Sequence, residues 1–222
     1  MKSAGDEVSV RKILVVDDHT LVRRGVIRIL EQSRDLEVSC DETGQAQEAL
    51  RLVTGGNYDL VLLDIALPGV NGLDLLKSLH RAAPRLPIII LSMYPEDQYA
   101  IRCFTQGAAG YLAKDSAPED LVAAVRKVLS GGRYVSGGLV EHLAGHLAAG
   151  PAHTVISHED LTDREFVVLR LSGAGKSPAQ IAGELFLSVK TVNTYRARVM
   201  SKLGLKSNAE VISYAIKHNL ST

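Results

Sequence analysis

The sequence predicts an α/β domain on a five-stranded parallel sheet, doubly wound, followed by a smaller all-α domain of four helices. Three observations predict it. Short apolar runs alternate with amphipathic stretches five times up to residue 130. From Asp160 onward the pattern is purely helical. The formal charge is also divided: residues 1–130 carry 15 Lys and Arg against 18 Asp and Glu, whereas residues 157–222 carry 9 against 6. An acidic front and a basic tail therefore hide inside a net charge of zero, and a basic tail permits nucleic-acid binding.

The elements follow in order. Ile13-Leu14-Val15-Val16 reads as a buried strand ending at Asp17-Asp18, with a helix over about 20–32. Glu37–Cys40 is a weaker strand, followed by a helix near 44–54. Leu60–Leu63 runs into Asp64, and a helix follows near 72–82. Ile88–Leu91 ends at Ser92 and precedes a helix near 96–106. Gly110–Ala113 ends at Lys114, and Pro118 suits the first turn of a helix to about 130. Near-continuous apolar strands imply a parallel sheet covered on both faces. Gly131-Gly132 ends the pattern, 137–150 is a Gly- and Ala-rich candidate helix, and Pro151–Ser157 reads as linker. Capping boxes pair Thr162 with Glu165, Ser177 with Gln180 and Ser207 with Glu210, and Ser188 caps a helix to about Lys202. The expected domains are 11–130, a linker over 131–157, and 158–222.

Several classes are disfavoured. Cys40 and Cys103 form no CxxC pattern, so neither a zinc site nor a disulfide framework is expected. No apolar run approaches the ~18 residues of a membrane span, and Met1–Val10 lacks a signal-peptide core. The cytoplasm and no membrane partner are expected. His142 and His146 share a helix face, but two ligands without a third point to coincidence.

In open parallel sheets, ligands sit at the carboxyl ends of the strands. Those ends here are Asp17, Asp18, Asp64, Ser92 and Lys114. Clustered carboxylates repel unless a cation makes them tolerable, and Mg²⁺ takes such oxygen ligands. A carboxylate held there could attack a phosphoryl group while the metal and Lys114 neutralise its oxygens.

Asp17-Asp18, Asp64 within Leu62-Leu63-Asp64-Ile65-Ala66-Leu67-Pro68-Gly69, Ser92, Tyr111 and Lys114 together resemble the receiver domain of response regulators, over about residues 11–130. The resemblance implies a flavodoxin-like strand order 2-1-3-4-5 and phosphorylation of Asp64 by a sensor histidine kinase. It implies that Asp18 binds Mg²⁺ directly, that Asp17 acts largely through water, and that the Asp64 carboxylate and the Ala66 carbonyl complete the ligands. Lys114 would pair with the phosphate, the Ser92 hydroxyl would turn toward it, and Tyr111 would change rotamer. Two features depart from the pattern. Asp115 follows Lys114 where many receivers have Pro, which leaves the geometry of that bond open. Ala66 and Tyr94 offer no evident help to an attacking water, so slow dephosphorylation is expected.

Ser188–Lys206 holds Lys190, Arg196, Arg198, Lys202 and Lys206 and no acidic residue. At 100° per residue, Val192, Val199 and Leu203 face the core. Lys190, Thr194, Ala197 and Ser201 lie opposite, flanked by Asn193 and Arg198. That small, cationic face can enter a major groove. Arg196 lies nearer the core stripe and is expected to reach a phosphate or Glu184. The helix Ser177–Leu185 with the Phe186-Leu187 link completes a helix-turn-helix. Leu161-Thr162-Asp163-Arg164-Glu165, Ile181-Ala182, Leu187-Ser188, Lys190-Thr191-Val192 and Lys202-Leu203-Gly204 resemble the LuxR-type helix-turn-helix, over about 158–220. Joined to a receiver, the chain resembles the NarL/FixJ family. That implies a transcriptional regulator binding double-stranded promoter DNA through Lys190, Asn193, Thr194, Ala197, Arg198 and Lys202, a homodimer when active, and RNA polymerase as a further partner. Val211, Ile212, Ala215 and Ile216 form an apolar face on the last helix, for pairing domains or for packing on its own. A turnover phosphatase leaves the basic helix unexplained. A receiver-controlled protein-binding module remains the alternative.

Overall fold

The computed structural model describes residues 10–67, 70, 72–93, 96–140, 158 and 161–220. The Gly- and Ala-rich stretch is helical over 137–140; its remainder, with His142, His146 and Tyr94, lies outside the described residues. The described residues fall into two compact units, one carrying a sheet and the other the C-terminal helices.

In the first unit five strands alternate with five helices. They are β1 (Arg11–Val16), α1 (Thr20–Gln32), β2 (Val38–Thr43), α2 (Ala46–Gly55), β3 (Leu60–Asp64), α3 (Gly72–Ala82), β4 (Ile88–Ser92), α4 (Glu96–Thr105), β5 (Gly110–Ala113) and α5 (Pro118–Leu129). The strands pair in parallel in the order β2-β1-β3-β4-β5, as the receiver resemblance implies. Side chains alternate between the faces of each strand. Ile13, Val15, Leu60, Leu62, Ile89, Leu91 and Leu112 form one core with Leu30 of α1 and Leu121, Ala124, Val125 and Val128 of α5. Leu14, Val16, Val61, Leu63, Ile88 and Ile90 alternate with them and are buried too. Both faces are therefore dry, which explains why the central strands read as unbroken apolar runs. β2 lies at the edge and carries the polar sequence Val-Ser-Cys-Asp-Glu-Thr; this is why its signal is weak and its observed end lies beyond Cys40.

Gly72 is required where it stands. A Cβ there would lie 2.2 Å from the Ile65 Cα, so any side chain would push the start of α3 off the backbone that follows Asp64. Beyond α5 the chain stays on the sheet edge. The Tyr134 amide donates to the Ala109 carbonyl at 2.9 Å and Tyr134 bridges Gly110. The Ser136 hydroxyl then bonds Glu96 at the start of α4 and accepts the Leu139 amide.

The second unit holds α6 (Asp163–Gly173), α7 (Pro178–Leu185), α8 (Val189–Leu203) and α9 (Asn208–Lys217). Thr162 and Ser177 make full capping boxes with Glu165 and Gln180. The third is only half formed. The Ser207 hydroxyl accepts the Glu210 amide, but the Glu210 carboxylate takes the Lys206 amide rather than that of Ser207. Val168, Ile181, Ala182 and Val192 form the core, with Leu171, Leu185, Leu187 and Tyr195 against it.

Candidate functional site: an acidic pocket and a basic helix

The pocket arises where β1, β3, β4 and β5 end. Asp64 closes β3 and pairs in register with Leu91, while Asp17 follows β1. The Lys114 amide bonds the Ser92 carbonyl at 2.8 Å, and this places Lys114 just beyond β5. Its ammonium lies 2.6 Å from Asp17 Oδ2 and 2.7 Å from Asp64 Oδ2. The other Asp64 oxygen accepts the Ala66 amide at 2.8 Å. These three side chains are almost completely shielded: Asp64 is 0% exposed, Asp17 2% and Lys114 6%.

Burial raises the Asp64 carboxyl above its ordinary value; Lys114 and the Ala66 amide oppose the rise without cancelling it. Burial also opposes the Lys114 charge, but its ion pair with Asp17 and its hydrogen bond to Asp64 outweigh that and hold the ammonium above its ordinary range. One buried cation thus faces two buried carboxylates, with Asp18 alongside. Asp17 Oδ2 is not aligned for a hydrogen bond from Lys114 despite the short distance. Asp18 Oδ1 accepts none from the described residues either, although His19 Nδ1 is 2.9 Å away. Ligand atoms of Asp17, Asp18, His19 and Asp64 all lie within 4.8 Å of one another. Two underused carboxylate oxygens and an excess of negative charge fit a hard divalent cation. His19, whose amide also bonds Asp17 Oδ1 at 2.7 Å, escaped the sequence reading because a lone exposed His after two Asp carries no spacing signal.

Ser92 and Tyr111 are both fully buried, and their side chains share a hydrogen bond. Burial drives the Tyr111 phenol well above its ordinary value, so it stays neutral. Ala66 is exposed. The structure has no cis peptide among its described residues, so the Lys114–Asp115 bond is trans.

On the second unit α7 ends at Phe186, held in the left-handed region at φ 53°, and Ser188 caps α8 by accepting the Thr191 amide at 3.0 Å. Val192 and Val199 are buried and Leu203 half-buried, as the helical stripe predicts. Lys190, Asn193, Thr194, Ala197, Arg198 and Ser201 are exposed together on the opposite side. One expectation needs correction. Arg196 does not reach Glu184; its guanidinium bonds Asn208, and Glu184 pairs with Lys176. The Lys202 ammonium bonds Glu165 at 2.8 Å. The 37-residue separation of that pair leaves no trace in sequence. The apolar face of α9 divides as well: Val211 and Ala215 turn inward, while Ile212 and Ile216 line an open apolar patch.

Residues 13–126 match the response regulator receiver domain, and residues 159–215 match the bacterial regulatory proteins of the luxR family. The chain is a response regulator. It is 35% identical over 208 residues to the response regulator UvrY of Escherichia coli K12, covering 94% of each chain. A structure of the RcsB response regulator from Salmonella typhimurium shares its fold, with a TM-score of 0.70 at 24% identity over 97% of this chain and all of that one. A second structure, of RcsB bound to promoter rprA with phosphomimetic BeF3-, matches with a TM-score of 0.62 at 25% identity, covering 92% of this chain and 98% of that one. A receiver joined to a LuxR-type domain makes this response regulator a DNA-binding two-component regulator of the NarL/FixJ type. The protein-binding alternative is not favoured. No helix among the described residues is long and apolar enough to cross a membrane.

Proposed function

We propose that Asp64 accepts a phosphoryl group from a sensor histidine kinase and that the resulting acyl phosphate controls promoter binding by α8. The observation that carries this reading is the pairing of Lys114 with buried Asp64 and Asp17. It holds the carboxylate in place and supplies a cation for the incoming group. An Asp64 oxygen forms the new bond to phosphorus as the phosphorus–nitrogen bond of the phosphohistidine breaks. Asp17, Asp18, Asp64 and the Ala66 carbonyl would hold Mg²⁺, which supplies charge neutralisation for the phosphoryl oxygens. Once phosphate takes Lys114 as its partner, the Ser92 hydroxyl turns toward it and leaves Tyr111 free to change rotamer. Ala66 brings no polar side chain to an attacking water, so the acyl phosphate decays slowly. The chain catalyses only these events on itself and turns over no external phosphoester.

Lys190, Asn193, Thr194, Ala197 and Arg198 would enter the major groove, with Arg196 and Lys202 at its rim. RcsB, whose structure was solved bound to a promoter, supports that reading. Ile212 and Ile216 would pair two copies in the active homodimer, and RNA polymerase is a further partner. The protein would work in the cytoplasm, as a receiver over 11–130 and a DNA-binding domain over 158–222. Incubating the full chain with a small phosphoryl donor and Mg²⁺ tests the first step. An acid-stable, alkali-labile phosphate on the wild type, absent from Asp64→Asn, is expected. Label retained by Asp64→Asn would move the acceptor elsewhere.

A further inference from the structure

The other edge of the sheet carries an opposite charge. At the N-terminal ends of the strands a cleft of about 360 Å³ is lined by Arg11, Asp59, Arg85 and Arg133, with Pro87 and Val128 among its apolar walls. Three guanidiniums share this cleft with one carboxylate, and that carboxylate is already used. Asp59 takes the Arg11 guanidinium on one oxygen at 2.9 Å and the Lys12 amide on the other at 2.8 Å. Arg85 and Arg133 have no ion pair among the described residues. The cleft is left with two positive charges, in a region whose sequence is acidic.

The backbones that carry these arginines are fixed. The Arg11 amide bonds the Glu37 carbonyl at 2.8 Å as β1 begins. Arg85 sits between Pro84 and Pro87, in a turn closed by the Leu86 amide on the Ala83 carbonyl at 3.0 Å; the Pro87 carbonyl accepts the Val61 amide. Arg133 lies between two anchored neighbours: the Gly132 amide bonds the Lys127 carbonyl at 3.0 Å and the Tyr134 amide the Ala109 carbonyl at 2.9 Å. Gly131 makes the preceding bend at φ 87°. Like charges brought together on fixed backbones repel one another until a counter-charge arrives, and a preorganised guanidinium loses little entropy when it binds one.

We propose that this cleft binds a small organic phosphate. A phosphate dianion matches the two unpaired charges, and a guanidinium fork suits its oxygens. The volume exceeds a bare phosphate and falls in the range of ligand pockets, roughly 300–1,000 Å³. The apolar wall around Val128 would receive the organic part. A ligand bridging Arg85 and Arg133 would also tie the start of the linker to the α3–β4 turn. This site is independent of the chemistry at Asp64.

The test is an amide-resolved NMR titration of the full chain with adenosine monophosphate. Divalent cations are removed so that phosphate is not drawn to the Asp64 pocket, and a matched addition of NaCl is the control. Saturable shifts at Gly131, Gly132 and Tyr134, with a Kd of about 1 mM or tighter, are expected. Arg85→Gln with Arg133→Gln should weaken binding about tenfold or more while phosphorylation of Asp64 is unchanged, which verifies the fold. Shifts that do not saturate, that centre on Asp17 and Lys114, or that persist unaltered in the double variant would overturn the proposal and leave these arginines as a solvated edge.

Discussion

The acidic pocket and the basic helix face differ most in what surrounds their charges. Asp17, Asp64 and Lys114 are shielded from water, and each carboxylate lies within 2.7 Å of the Lys114 ammonium. Lys190 and Arg198 stand in solvent with no ion pair among the described residues. In the pocket, loss of the one cation leaves two buried carboxylates without their partner, which is severe. On the helix each cation acts nearly alone, and losses add up gradually. The pocket should therefore behave as a switch and the helix face as a sum.

The sharpest way to break this comparison is Asp64→Asn. It should abolish acyl phosphate formation while leaving circular dichroism and thermal unfolding close to wild type. Lys114→Ala comes next. Removing the ammonium leaves Asp17 and Asp64 facing each other, and receiver stability should fall by about 3 kcal/mol in urea titrations without divalent ions, with partial recovery in Mg²⁺. An unchanged midpoint would mean that water already screens the pair.

Glu165 sharpens the comparison from the other side, because it is the pocket-like residue of the helical domain. Only 3% of its side chain is exposed, yet it caps α6 and holds Lys202. Burial would raise its carboxyl, but Lys202 and Thr162 outweigh it and hold it below the ordinary value of 4.5. A lowered folded value means that the stability it confers is present above that ordinary value and is lost as pH falls through the folded one. Glu165→Gln should cost the domain about 1–2 kcal/mol at neutral pH and flatten its acid-side loss, as read by thermal unfolding against pH. The smallest effects belong to the exposed face. Lys190→Ala and Arg198→Ala should each lower the slope of log affinity against log salt by about 1 in fluorescence anisotropy. A loss of affinity that relaxes sequence preference while leaving the slope unchanged would imply a base contact rather than a phosphate contact.

The same contrast explains what could be read in the sequence. Asp17, Asp64, Ser92 and Lys114 were legible because each ends an apolar strand, and a parallel sheet must bring such ends together. The exposed stripe from Lys190 to Ser201 was legible from helical periodicity alone. Tertiary partners were not legible: Lys202 with Glu165, Arg196 with Asn208, and Ser136 with Glu96 join positions 12 to 40 apart, and neither period links them. Gly72 was missed for a related reason, since its demand comes from the Ile65 backbone across a turn. The inward turn of Val211 and Ala215, away from Ile212 and Ile216, depended on where α9 packs.

The central claim is that the chemistry of the buried pocket governs the exposed face. Genome-wide DNA occupancy of the wild type and Asp64→Asn, in cells where the kinase is active, tests it most directly. Discrete promoter peaks in the wild type that vanish in Asp64→Asn are the predicted result. Peaks of equal height in both would contradict the claim and leave a DNA-binding protein indifferent to its own receiver.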